Sequence, residues 1–280
     1  MQVIINGLVI GHTYILIALG LAIVFSIGGV LNFAHGGLCV LGGFFLYALF
    51  QQLGLNFLVA FLLASIGVAV VAVIIERLLV RRLAGQLHAI VIVMLGLTLI
   101  LSGGSILVFG EQDKVIQPPF KGVLSIADIH ISNEKLLIVE ISVVLILALV
   151  IFLKKTTVGQ ALRAVGQDSE AAAIVGVNTL QYSTISFAIG GFLAGAAGSI
   201  VGVVFLVSPT ADMFFVIKGI TIIMIGGLGS MGGIVLAGLL VGVLESFTLT
   251  FIGAGSELIT FTILIIIILF RPRGLFGHEE

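Results

Sequence analysis

The sequence predicts an all-α fold, a polytopic transmembrane helix bundle with about eight to ten membrane segments, some of them broken or re-entrant. Residues are 60% hydrophobic and 9% charged, with a mean hydropathy of +1.36, whereas ordinary soluble domains are roughly 25% charged. Apolar runs long enough to cross the roughly 30 Å hydrocarbon core recur along the whole chain. Lys and Arg gather in a few short loops between them, the pattern that sets membrane orientation. Residues 1–280 are read as a single transmembrane domain.

The composition also closes off several functions. A net charge of −1 and a pI near 6.5 offer no basic face for nucleic acid. Cys39 is the lone cysteine, which excludes an internal disulfide and a thiolate cluster. His12, His35, His88, His130 and His278 are scattered without ligand spacing, so neither a metal nor a cofactor is expected. Tryptophan is absent, which leaves Tyr14, Tyr47, Tyr182 and some of the phenylalanines as interfacial anchors. The N-terminus has neither a basic region nor a clear small-residue cleavage site, so its apolar run is expected to be a retained span rather than a removed signal peptide.

Taken in order, the segments are 7–29, 37–53, 57–75, 89–109, 135–153, 179–206, 214–226, 232–252 and 257–270. The 214–226 run is short, and glycines interrupt the stretch around 28–43; these are the candidates for broken or re-entrant segments. Three loops read as cytoplasmic: the one with Arg77, Arg81 and Arg82, the one with Lys154, Lys155 and Arg163, and the C-terminus with Arg271 and Arg273. The 110–134 loop reads as external, because Lys114 and Lys121 are balanced there by Glu111, Asp113, Asp128 and Glu134 beside Pro118 and Pro119. Counting crossings places the N-terminus outside if every segment crosses, and one re-entrant segment would flip it.

Polar and glycine-rich islands punctuate the apolar runs. Leu31-Asn32-Phe33-Ala34-His35-Gly36-Gly37 suits a place where a helix breaks and its backbone groups face a cavity or another subunit. It equally suits a tight interhelical turn in which Asn32 and His35 serve packing and caps. The second cluster runs Gly226-Gly227-Leu228-Gly229-Ser230-Met231-Gly232-Gly233. It has no following Lys-Ser/Thr and no preceding strand, so it is not a phosphate loop; its glycines suit close helix approach or a break within the membrane. Gly36, Gly37 and Gly42 share one offset with Gly232, Gly233 and Gly238, a hint of an internal repeat. Lys218 and Glu245 fall at a similar depth toward the external leaflet at a rise of about 1.5 Å per residue. An unpaired charge there costs roughly 2.5 to 3.5 kcal/mol or more, so an ion pair or a water-bridged contact is expected between the two, for structure rather than proton coupling.

Lys154 to Asn178 is the longest polar, helix-forming stretch. Val158, Leu162 and Val165 recur at helical spacing opposite Gln160, Arg163 and Gln167. Asp168 suits an N-cap, Glu170 a first turn and Gly176 a left-handed stop, which bounds a short second helix. Periodicity alone fits either a cytoplasmic docking element or an amphipathic helix on the membrane surface.

Glu170-Ala171-Ala172, three residues and then Gly176 resemble the EAA motif that ABC importer permeases present to their ATP-binding subunits. The flanking GQALRAVGQDSEAAAIVGVN, the NFAHG of residues 32–36, GGLGSMGGIVLAGLLVGVLES from Gly226 and the RPRGLFG ending resemble the branched-chain amino acid permease family, in its shorter permease type. The general EAA continuation with Ile and Leu-Pro is missing, so the likeness is to this family rather than to importers at large. The resemblance implies a multi-pass protein of a bacterial or archaeal cytoplasmic membrane with the 154–178 loop and C-terminus cytoplasmic. It also implies a second permease subunit, two ATP-binding cassette subunits and an extracytoplasmic substrate-binding protein as partners. Glu170, Ala171 and Gly176 would shape the coupling helix, with Arg163 and Gln167 as polar contacts to the ATPase. Asn32, Phe33, His35, Gly36, Gly37, Gly227 and Gly229 would belong to the translocation pathway.

No P-loop or Walker B strand occurs in the chain, so ATP chemistry would lie on the partners and the chain is not an enzyme. Permeases for urea, short amides or other amino acids share much of the pattern. An ion-coupled transporter needs ionisable residues at mid-membrane, where only Glu245 is a candidate. An intramembrane enzyme would need a catalytic constellation that no span supplies.

Overall fold

The computed structural model describes residues 1–117, 120, 122–126, 129–227, 229–253, 256–270 and 274. Its helices are α1 (Gln2–Gly28), α2 (His35–Leu46), α3 (Phe57–Ile75), α4 (Leu87–Phe109), α5 (Asn133–Lys155), α6 (Thr157–Gln167), α7 (Ser169–Ile174), α8 (Thr179–Val204), α9 (Asp212–Gly226), α10 (Met231–Phe251) and α11 (Ser256–Phe270). The chain is an all-α polytopic membrane protein. Among the described residues six stretches, α1, α3 with its continuation to Leu83, α4, α5, α8 and α10, are long and apolar enough to span a bilayer. The shorter expected segments are helices too: α2 runs on through a π-helical turn at Tyr47–Gln52, and α9 and α11 have 15 residues each.

One element escapes the sequence reading. The loop before α5 folds into a hairpin of β1 (Val123–Ile126) and β2 (Ile129–Ser132), antiparallel, with Val123 opposite Ser132 and Ile126 opposite Ile129. Pro118, Pro119, Lys121, Asp128, Arg271, Arg273 and the rest of the RPRGLFG ending save Gly274 lie outside the described residues.

The chain divides into two compact units. The larger comprises Gly20–Gln117 and Val144–Val216; the other comprises Met1–Leu19, Pro118–Val143 and Ile217–Glu280. In the larger unit α8 packs on α2 and α3 at backbone distance. A side chain on Gly198 would run into the carbonyl of Cys39, one on Gly42 into Gly195, and one on Gly191 would come within 2.5 Å of the Ala72 methyl. Lipid tails are as apolar as Leu, so helices in a bilayer gain most from this close van der Waals contact. Ser199 Oγ adds a hydrogen bond to the Gly42 carbonyl at 3.1 Å.

The same device holds the other unit. Gly7 and Gly11 of α1 face Gly238 and Gly242 of α10, each pair at small-xxx-small spacing. A Cβ at Gly11 would lie 2.9 Å from the Gly238 carbonyl oxygen. Ser246 Oγ donates to the Val3 carbonyl at 2.7 Å. The Gln2 amide acts as a pseudo-strand on the hairpin: its Nε2 donates to the His130 carbonyl at 2.8 Å, and His130 N–H donates to its Oε1 at 3.0 Å.

Candidate functional site

The 154–178 stretch folds as its residues dictate. Thr156 Oγ1 accepts from Gly159 N–H at 3.0 Å and caps α6. Leu162 and Val165 are buried while Gln160, Arg163 and Gln167 are exposed, so the apolar stripe faces the protein. Gly159 meets the end of α5 at Phe152 and Leu153, and Gly166 meets the Ser26 carbonyl at the end of α1. The helix runs unbroken through Gly166 because that glycine is where the two backbones approach. Asp168 Oδ1 then accepts from Glu170 N–H at 3.0 Å and Ala171 N–H at 2.9 Å, starting α7. Gly176, at φ +90°, ends the turn.

Arg163, Gln167, Glu170, Ala171 and Gly176 are all exposed, whereas Ala172 faces inward. The sequence reading passed over the most exposed apolar pair in this region, Ile174 and Val175, at 86% and 78%. Two β-branched residues directly before a stop glycine in a polar segment were the available signal. Glu76 was missed as well. It starts a π-helical turn after α3 and is buried, with Ser183 Oγ donating to Oε1 at 3.1 Å and Thr184 Oγ1 to Oε2 at 2.7 Å. These hydroxyls sit in the first turns of α8, directly after the exposed knob.

The Asn32–Gly37 island links α1 to α2 in the larger unit. Gly29, at φ +63°, lets the chain leave α1. His35 is fully buried and Phe33 half-buried. Thr98 Oγ1 of α4 donates to the Phe33 carbonyl at 2.8 Å. Asn32 is 3% exposed, and its Oδ1 has no partner among the described residues. It lines a small cavity of about 30 Å³ with Val30, Ile90, Met94 and Phe187. A side chain at Gly36 would collide with the Asp212 carbonyl, and one at Gly37 would meet Leu101 at 3.0 Å.

Gly227 and Gly229 lie in the other unit, so the expected pathway residues are not gathered in one compact body. Both have positive φ, +94° and +86°. Gly227 is buried and Gly229 exposed. Ser230 Oγ accepts from Gly233 N–H at 3.1 Å and caps α10, which makes this cluster a helix-to-helix turn.

Lys218 of α9 and Glu245 of α10 meet: Nζ lies 2.6 Å from Oε2, with side chains 2% and 8% exposed. Tyr14 corrects the sequence reading. It is not an interfacial anchor but 2% exposed, donating its hydroxyl to Glu245 Oε1 at 2.8 Å. The Lys218 ammonium also lies 5.3 Å from the Tyr14 ring centroid. Burial is affordable for such a pair only when its remaining lone pairs are satisfied, and Tyr14 does this from α1.

Residues 3–270 match the family described as the permease component of the branched-chain amino acid transport system. The high-affinity branched-chain amino acid transport permease BraD of Pseudomonas aeruginosa is 29% identical, with 100% of this chain and 96% of that protein aligned. LivH of Escherichia coli, named for the same transport system, is 28% identical over the same shares. Among solved structures, PsaBC from Streptococcus pneumoniae in complex with Fab has a TM-score of 0.52 at 17% identity, covering 96% of this chain and 91% of that one. That last likeness is one of fold.

Proposed function

The chain belongs to the family of branched-chain amino acid transport system permease components, and on that premise we propose that it is the membrane-spanning subunit of an ABC importer. It carries leucine, isoleucine and valine inward by alternating access, and ATP hydrolysis on two cassette subunits drives the cycle. A second permease chain completes the route, and an extracytoplasmic binding protein delivers the substrate. The observation that carries this reading is the family match, which runs through every helix of the chain and includes the α6–α7 segment.

The geometry of α6–α7 supports a mechanical role. A helix capped at its start by Asp168 and closed by Gly176 is a stiff, short knob. Ile174 and Val175 form its apolar tip, suited to a groove on an ATPase subunit, with Arg163, Gln167 and Glu170 around it. Removing two such side chains from water on docking favours association. Push on the knob is passed to α5 through the Gly159 contact and to α8 through Asn178, whose Oδ1 accepts from Gln181 N–H at 3.2 Å.

The test is leucine uptake into proteoliposomes holding the complete complex. Ile174→Asp with Val175→Asp leaves the permease folded, since both side chains are exposed, and weakens ATPase binding by about thirtyfold, a loss of ~2 kcal/mol. Uptake falls in step. Uptake that collapses with an ionophore yet ignores ATP removal would overturn the importer reading.

A further inference from the structure

A groove of about 350 Å³, apolar throughout, runs between α3, α5 and α8. Its floor is shaped by small side chains, Ala69, Ala148 and Ala188, set against the rings of Phe152 and Phe192. On α5 the lining residues Leu145, Ala148, Leu149 and Phe152 follow helical spacing, and the next step of that stripe is Lys155, beside Lys154. Both lysines are exposed at the end of the helix, and among the described residues neither has a carboxylate within salt-bridge distance. Lys155, one turn beyond Phe152, continues the stripe, whereas Lys154 falls on the opposite side of α5. An apolar slot whose stripe runs on to an exposed ammonium at a span terminus complements an amphiphile with a hydrocarbon tail and an anionic head.

We propose that this groove is a binding site for one anionic phospholipid, its acyl chain lying against Ala69, Ala148 and Ala188 and its phosphate on Lys155. Hydrocarbon fills any open groove in a bilayer, so the alanines provide the space and Lys155 provides the selection. The lipid sits between α5 and α8, the two helices that the α6–α7 segment joins. The site does not depend on which substrate the permease carries.

Native mass spectrometry of the purified full-length chain, titrated with phosphatidylglycerol or with phosphatidylcholine of the same acyl composition, reads the site directly. The wild type retains one phosphatidylglycerol with about fivefold preference over phosphatidylcholine, as expected for one lysine near a phosphate. Lys155→Gln removes the preference while both lipids still bind, and Lys154→Gln, on the opposite side of the helix, keeps it; these exposed positions leave the fold intact. Ala148→Phe fills the groove and lowers retention of both lipids, and the smaller Ala148→Leu does so in part, with melting temperature recorded for each. Preference that survives in Lys155→Gln, or full retention in a folded Ala148→Leu and Ala148→Phe pair, would overturn the proposal. So would displacement of the lipid when a second permease chain is co-purified, which would make the groove a protein contact.

Discussion

Glu245 shows how a carboxylate is accommodated in a span. Its two oxygens are taken by Lys218 and Tyr14, from α9 and α1, so removing either partner leaves part of a buried charge uncompensated. Lys218→Met alone should cost about 3–5 kcal/mol, and pairing it with Glu245→Leu should recover most of that. Chemical unfolding in detergent measures both. Because the pair is read as structural, the double variant keeps ATP-driven uptake, whereas a proton-coupling role would abolish it. Glycine positions give a second contrast. Gly198→Val forces a side chain into the Cys39 backbone and should cost about 1–3 kcal/mol or prevent folding. Gly232→Val, where an added Cβ meets nothing within 4 Å, should be near neutral in the same assay.

At the scale of elements, α7 depends on its cap. Asp168→Ala removes the acceptor of two backbone N–H groups and should cost about 1 kcal/mol, read as roughly fivefold faster amide exchange at Glu170 and Ala171. The caps and stops of α6 and α7 were legible because Thr156, Asp168 and Gly176 act on neighbours one turn away. The long helices were legible because apolar length is itself the signal. The Glu76 site was not, since its hydroxyl partners lie 107 and 108 residues on and Arg77 beside it made the loop look simply cationic. Tyr14 was misread for the same reason: a tyrosine in an apolar run suits the interface, and only the fold brings Glu245, 231 residues away, to its hydroxyl. The hairpin was hidden by a loop whose charges and prolines dominated its short β-branched runs. Asn32 and Gly36 were picked out by type, yet which surface each meets is set by α4, α8 and the start of α9.

At the scale of the whole molecule, each unit sorts its chain ends consistently. In the larger unit, Gln51 Oε1 accepts from Gln117 N–H and Lys114 pairs with Val207 at one end, while Gly166 meets Ser26 and Glu76 holds Ser183 and Thr184 at the other. In the other unit, Gln2 is bound to His130, so the N-terminus lies at the end of the hairpin. That link matters for orientation, because a count of crossings leaves the N-terminus to parity while the Gln2 contact ties it to a loop whose side the charges assign. The sequence expectation that Arg77, Arg81, Arg82, Lys154 and Lys155 are cytoplasmic and the 110–134 loop external therefore predicts that the N-terminus labels from outside, as the hairpin does, and the α7 knob from inside. Single cysteines at Ile4, Leu124 and Val175 test this; all three positions are exposed, and the native Cys39 is buried. A membrane-impermeant maleimide should label Ile4→Cys and Leu124→Cys in right-side-out vesicles and Val175→Cys only in inverted ones. Labelling of Leu124→Cys and Val175→Cys from the same face would place the knob where no cytoplasmic ATPase could reach it, and the coupling role would fall with the orientation.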